Sequence, residues 1–209
     1  NYPKFKNKIK YIVIDKEPDG IVEENNNPTL QRANSLKRIE LSYDEHFNAI
    51  KDADDDDFIM LSDNDEIPNL DSEDFKKNKN DIVIFNQLFF YFKFNLLYDR
   101  MLWPGTKGCR KKNLKSFSWL RNIKFKKYPI WRIDTYFSNT KYSNLNIIND
   151  GGWHFTNLKS PEDMFEKFMN FGHHDEFKLS GITVDKIRDK ISKREMFYDH
   201  FADKSSTCL

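Results

Sequence analysis

The stretch Phe58-Ile59-Met60-Leu61-Ser62-Asp63-Asn64-Asp65-Glu66-Ile67-Pro68 constrains this chain more than any other. Its first four residues are apolar and read as a buried strand, which ends abruptly in three carboxylates within four residues. A parallel α/β sheet takes its ligands at the carboxyl ends of its strands. Carboxylates crowded there, beyond what nearby cations can pair, are expected to bind a cation. A hard ion such as Mg²⁺ or Mn²⁺ takes one or two of them and leaves its other positions to water and substrate phosphates. The stretch therefore predicts a metal-dependent enzyme acting on a phosphorylated donor. An EF-hand calcium loop does not fit, because Ile67, Pro68 and Asp74 stand where a ligand, the Gly and the Glu belong. A helix cap or a solvated turn is open to any isolated D-x-D; the apolar run ahead of this one favours the metal site. The acidic run 54–57 precedes the strand and reads as a solvated turn.

Charge narrows the partners. Lys and Arg total 34 against 33 Asp and Glu, a net charge of +1, which argues against a general nucleic-acid binder. A local basic patch with interleaved aromatics remains at 107–127. Nineteen Phe, nine Tyr and four Trp supply large buried areas, so the chain is expected to fold despite being 32% charged. Cys109 and Cys208 are the only cysteines, and without a CxxC there is no zinc site of the usual spacing. No apolar run approaches the roughly 18 residues of a membrane span, and no signal peptide is visible. A cytoplasmic protein, or a piece of a longer membrane-associated or viral one, is the expectation.

Along the chain, Tyr11, Ile12, Val13 and Ile14 read as a short buried strand. A polar loop follows, then a helix at 29–41 with Thr29 as N-cap. Ser42-Tyr43-Asp44-Glu45 is a capping-box pattern that predicts a second helical stretch to Ala53, with Phe47 and Ile50 inward. With the strand at 58–61 this makes a βαβ unit, expected to be parallel and right-handed. Residues 82–85 form a third strand, and 88–97 continue as an aromatic extended segment broken by Trp103-Pro104-Gly105. Short strands are expected at 131–137 and 152–155. Ser160-Pro161-Glu162-Asp163 starts a helix with Met164, Phe165, Phe168 and Phe171 as its buried face and Gly172 as its stop. Thr183 caps a last helix carrying Val184, Ile187 and Ile191 at helical spacing. No repeat or linker divides the chain.

Three further clusters carry chemistry. In Gly151-Gly152-Trp153-His154-Phe155, the glycines let backbone approach a ligand, Trp153 can stack on a sugar ring or fill core, and His154 can ligate metal or sit hydrogen-bonded in the core. His173-His174-Asp175-Glu176 follows the helix that ends at Gly172, a place suited to general-base work or to satisfying the helix dipole. Gln31-Arg32-Ala33-Asn34 lies in the first helix turns, where Arg32 can meet phosphate bidentately or stand as a surface Arg.

Taken together these pieces resemble glycosyltransferase family 17, the β-1,4-mannosyl-glycoprotein β-1,4-N-acetylglucosaminyltransferases. The matching elements run in family order from Gln31-Arg32-Ala33-Asn34 to Ser62-Asp63-Asn64-Asp65-Glu66-Ile67-Pro68. They continue through Phe89-Phe90-Tyr91-Phe92 with Asn95, Trp103-Pro104-Gly105-Thr106 and Leu120-Arg121-Asn122. Gly152-Trp153-His154-Phe155-Thr156 and Phe171-Gly172-His173-His174-Asp175 complete the series. The resemblance covers roughly residues 5–190.

The resemblance implies a GT-A-like α/β fold, one domain over 1–209 with a mainly parallel central sheet flanked by helices. It also implies an N-terminally incomplete domain, because family members carry further strand ahead of the segment equivalent to 11–14. It implies an inverting, Mn²⁺- or Mg²⁺-dependent transfer of a sugar, GlcNAc by family, from a UDP-sugar to a glycan hydroxyl. Asp63 and Asp65 become the metal and diphosphate residues, with His154 a further metal or phosphate contact. Asp175 or Glu176 becomes the base, in a register ambiguous by one residue. Gln31, Arg32, Asn34, Trp103, Arg121 and Trp153 become donor- or substrate-binding residues. Two rival readings stay open: a noncatalytic carbohydrate-binding relative, and another metal-dependent phosphoryl- or nucleotidyl-transfer enzyme.

Overall fold

The computed structural model describes residues 3–22, 27–170, 177–178 and 180–197. In chain order the elements are α1 (Pro28–Glu45), β1 (Phe58–Leu61), β2 (Glu66–Pro68), α2 (Glu73–Lys76), β3 (Ile82–Tyr91) and β4 (Leu97–Arg110). They continue with α3 (Phe117–Asn122), β5 (Leu145–Ile148), β6 (Gly152–Thr156), α4 (Pro161–Asn170) and α5 (Val184–Lys193).

The six strands form one sheet in the order β1-β4-β3-β6-β2, with β5 also pairing β3. β1/β4, β3/β4 and β2/β6 are antiparallel, and only β3/β5 and β3/β6 are parallel. The sheet is a curled, mostly antiparallel half-barrel, not the mainly parallel, helix-flanked sheet of a GT-A-like domain. The expected βαβ unit fails at its first member. Residues 11–14 pair with nothing in the sheet, and Tyr11 and Val13 stand 88% and 70% exposed. β1 instead pairs with β4, from Phe58 opposite Arg110 to Leu61 opposite Lys107. Trp103-Pro104-Gly105 does not break the chain either. It lies inside β4, where shifts in the β3/β4 register absorb the irregularity.

The curl follows from one short connection. β1 and β2 sit at opposite ends of the strand path, yet only residues 62–65 separate them, and the Glu66 N–H closes a turn onto the Asp63 carbonyl at 3.1 Å. Four steps of roughly 4.8 Å would place the outer strands of a flat sheet roughly 19 Å apart. Six consecutive residues reach roughly 18 Å only when fully extended, and these contain a turn. The two ends of the sheet must therefore bend toward each other.

β3 is the central strand. Ile82 and Ile84 pack with Ile59, Cys109, Leu114, Phe117, Leu120 and Leu145, while Val83 and Phe85 pack on the other face with Ile148, Phe58 and Phe75. Its far half carries Phe89 and Tyr91 into a second core with Tyr98, Met164 and Phe168 of α4 and Ile187 of α5. The Ser160-Pro161 helix start and the Thr183 cap form as expected, with Met164, Phe168 and Ile187 fully buried. α1 is one helix rather than two. Asn27, not Thr29, caps it by accepting the Thr29 N–H, and it runs through the Ser42–Glu45 pattern before a 3₁₀ turn at His46–Ile50 where Phe47 is exposed. The segment 131–137 holds a 3₁₀ turn, not a strand, and β5 had no counterpart in the sequence reading. Phe171 and Gly172 lie outside the described residues. No helix among the described residues is long and apolar enough to cross a membrane.

Candidate functional site

The acidic loop sits where the two ends of the sheet meet, and its carboxylates face different surroundings. Glu66 points into the curl and is buried. Its Oε1 accepts the Trp103 indole N–H at 2.8 Å, and its Oε2 accepts the Thr106 hydroxyl at 3.2 Å and the Asp63 backbone N–H at 3.2 Å. The Ser62 and Thr106 hydroxyls join at 2.7 Å. Burial pushes the Glu66 carboxyl above its ordinary value, only partly countered by the Trp103 hydrogen bond. Glu66 is thus the hub that holds β2 to β4.

Asp63 is a member of the same network. Arg121, at the end of α3, places Nη2 at 3.0 Å from its Oδ2, and the Tyr43 hydroxyl donates to its Oδ1 at 3.2 Å. Burial, with the charge of Asp63 close by, pushes the Tyr43 phenol up to about 12. Lys107 lies below, its Nζ donating to the carbonyls of Arg121 and Ile123, and burial lowers its amine to about 8.

Asp65 turns the other way. The Phe155 N–H donates to its carbonyl at 2.8 Å, which fixes the loop on β6. Its carboxylate lies 3.5 Å from His154 Nε2. Burial works to raise the Asp65 carboxyl, but His154 and the Lys167 charge outweigh it and hold the group below the ordinary value. His154 is buried in a three-ring cluster, stacked on Trp103 at 4.5 Å and on Phe89 at 4.8 Å between centroids. Its Nδ1 has no hydrogen-bond partner among the described residues.

Asn64 and Asp65 line one wall of a cleft of about 340 Å³. Asn157, Lys159 and Lys167 supply the other polar groups, and Ile67, Phe94, Phe155 and Leu158 the apolar surface. Phe155 is braced by stacking on Phe90 and by the edge of Phe94, which is itself 72% exposed. A shallower hollow of about 630 Å³ continues past Phe94 and Lys159 to Ser160 and Asp163. Two lysines, one carboxylate and exposed rings suit a ligand that is part phosphate and part sugar or base.

The structure thus brings together Asp63, Asp65, Trp103, Arg121 and His154. It gives Trp103 and Arg121 to the carboxylates rather than to the cleft. Trp153 alternates with His154 along β6 and is half-exposed beside Ile67, its cross-strand neighbour. Gln31, Arg32 and Asn34 do not line the cleft. Asn34 instead pins the N-terminal segment, accepting the Val22 N–H at 3.1 Å and donating to the Val22 carbonyl at 2.8 Å. Asp175 and Glu176 lie outside the described residues. The glycine pair brings backbone close to backbone. A Cβ on Gly151 would stand 2.4 Å from the Asn86 nitrogen, and one on Gly152 would stand 2.1 Å from the Ile67 carbonyl oxygen.

Among the described residues, no three His, Cys, Asp or Glu side chains converge on one metal position. Asp63 and Glu66 have their oxygens engaged by Arg121, Tyr43, Trp103 and Thr106. Asp65 alone presents a carboxylate to the cleft, with His154 Nε2 behind it. One carboxylate suffices for a hard divalent cation only when substrate phosphates complete the shell. Lys159, Lys167 and Asn157 were missed by the sequence reading. Each lies outside the acidic stretch in sequence, and only the packing of α4 against β6 brings them to Asp65. The chain matches no protein-family model, no curated protein and no solved structure.

Proposed function

We propose that this chain is a sugar-nucleotide-dependent glycosyltransferase related to family 17, with the cleft beside Asp65 as its donor site. One observation carries the reading: four of the segments that make up the resemblance converge. Ser62 to Glu66, Trp103, Thr106, Arg121 and His154 come from four separate parts of the chain and form one hydrogen-bonded and stacked cluster, which presents Asp65 to a lysine-lined cleft. In this reading Lys159 and Lys167 bind the donor diphosphate and Phe94 and Phe155 offer ring faces to the sugar or base. Asp65, backed by His154, is the residue that holds a divalent cation, Mn²⁺ or Mg²⁺. The cation would supply charge neutralisation on the departing nucleotide. Asp63, paired with Arg121 and Tyr43, serves in this reading to orient Arg121. The acceptor hydroxyl belongs to a glycan, and its base is a carboxylate, Asp175 or Glu176 by resemblance.

The test is calorimetric titration with UDP-GlcNAc in Mn²⁺ and again in EDTA, on the wild type and on Asp65→Asn and Lys167→Met. Binding that needs Mn²⁺ and is weakened in both variants supports the donor site. A chain that binds free glycan equally well in EDTA, and no nucleotide in either condition, is a carbohydrate-binding relative instead.

A further inference from the structure

Among the described residues, a run of exposed large apolar side chains lies on the loop between α3 and β5. Within eight residues it carries Ile130, Trp131, Ile133, Tyr136 and Phe137, which are 70%, 78%, 73%, 74% and 86% exposed. Single exposed apolar residues need no explanation, but five large ones on one loop do.

This loop is built, not loose. Its stem is closed by the Lys124 N–H to the Thr140 carbonyl at 2.8 Å and the Tyr128 N–H to the Tyr142 carbonyl at 3.2 Å. Its tip is held by a 3₁₀ turn at Ile133–Thr135 and by the Tyr136 hydroxyl on the Ile130 carbonyl at 3.1 Å. Arg132 and Lys141 both pair with Asp134, at 2.6 and 2.9 Å, which holds that carboxyl far below the ordinary range. Arg132, Asp134 and Lys141 pair within the loop, and the large apolar side chains are left facing outward.

Charge selects the partner. Residues 124–141 contain Lys124, Lys126, Lys127, Arg132 and Lys141 against the single acid Asp134, so this loop is net +4 in a chain that is +1 overall. Outward Trp, Tyr, Phe and Ile beside a cluster of cations is the composition of a surface that dips into the headgroup region of an anionic bilayer. The rings take the interfacial depth and the lysines meet the lipid phosphates. A bilayer also makes no demand for precisely matched hydrogen-bond partners, which this tip does not offer.

We propose that the 124–141 loop is a membrane-surface anchor that docks the protein peripherally on anionic lipid, with Trp131 and Phe137 as the inserting residues. The proposal is independent of the donor-site reading. Docking of this kind requires no spanning helix.

The test uses the full chain in sedimentation with vesicles of phosphatidylcholine alone and of phosphatidylcholine with phosphatidylserine. Binding is expected only to the second, and is expected to fall at high salt. Lys126→Gln with Lys127→Gln removes two surface cations and should weaken it about 30-fold. Trp131→Ser with Phe137→Ser should weaken it about tenfold or more. Trp131→Phe should keep most of the binding but lose the vesicle-induced blue shift of indole emission, which reports insertion at that residue. Equal binding to both vesicle types, no binding to either, or binding unchanged in the two double variants would each overturn the proposal. A concentration-dependent dimer abolished by the Trp131/Phe137 variant, without vesicle binding, would assign the loop to a second copy of this chain instead.

Discussion

The indole N–H of Trp103 on β4 donates to the buried Glu66 carboxylate on β2 at 2.8 Å, and this bond closes the curl of the sheet. No strand pairing joins those two strands directly, since β2 pairs only with β6. Removing the donor leaves Oε1 with Arg121 Nη1 at 4.0 Å as its nearest cation. A buried carboxylate deprived of a hydrogen-bond donor costs about 1–3 kcal/mol. Trp103→Phe keeps most of the ring that stacks on His154, so it isolates the hydrogen bond. Urea unfolding should show a loss in that range, and a double-mutant cycle with Glu66→Gln should show coupling between the two positions. A loss below about 0.5 kcal/mol, the scatter of neutral substitutions, would remove Glu66 as the closing hub.

The acidic loop was legible from its sequence because it combines an apolar strand with an abrupt polar end, and both are local signals. What each carboxylate does was not. Asp63, Asp65 and Glu66 stand within four residues, but a turn sends Glu66 inward, Asp63 to Arg121 and Asp65 to the cleft, and these partners are distant in sequence. Strand direction was equally hidden. The apolar run 58–61 reads the same whether it joins a parallel or an antiparallel partner. Pro104 and Gly105 suggest a break where the chain in fact continues as a 14-residue strand. The glycine pair was found, but its reason is the close approach of the β3 backbone to Gly151 and of the β2 backbone to Gly152 rather than a ligand.

Asp65 and Glu66 are adjacent yet should drive stability in opposite directions with pH. Asp65 titrates below its ordinary value of 3.8, so the folded state favours its ionised form. Its contribution is fully present above that pH and is lost as pH falls through the folded value. Glu66 titrates above its ordinary 4.5, so the folded state favours its protonated form. Its contribution is present below that value and is lost as pH rises through the folded one. Unfolding measured across the acid range should show Asp65→Asn losing ground to the wild type as pH rises through the carboxylate range, and Glu66→Gln gaining it. Parallel curves for the two variants would contradict the assigned environments.

Lys107 predicts an alkaline effect of unusual sign. Its amine is lowered to about 8 in the folded protein against 10.5 ordinarily, chiefly by burial and then by the nearby Arg121 charge. Between those values the unfolded chain holds a proton that the folded one has released, so stability rises with pH. The slope from one such group is at most about 1.4 kcal/mol per pH unit. Lys107→Met should lose this rise, so the stability difference between wild type and variant should climb from about pH 8 to 10.5. Its offset at neutral pH also contains the lost hydrogen bonds to Arg121 and Ile123, so the slope, not the offset, is the observable.

Gly152 ties the scaffold to the cleft. Its φ of +102° lies where side chains are strained, and a Cβ there would stand 2.1 Å from the Ile67 carbonyl oxygen, which belongs to backbone and cannot swing aside. Gly152→Ala must push β2 off β6 and so disturb the pairing of Glu66 with His154 and the Phe155 bond to the Asp65 carbonyl. The expected cost is about 2–4 kcal/mol, combining backbone strain with overpacking. Gly181→Ala is the control, because it also has a positive φ but its Cβ would meet nothing within 4 Å. It should cost about 1 kcal/mol, the strain alone. If the donor site is the cleft beside Asp65, Gly152→Ala should also weaken Mn²⁺-dependent UDP-GlcNAc binding under conditions where circular dichroism shows the chain still folded, while Gly181→Ala leaves that binding unchanged. Equal unfolding free energies for the two variants would mean that β2 yields freely at Ile67, and the tight approach of β2 to β6 would then not be what positions Asp65.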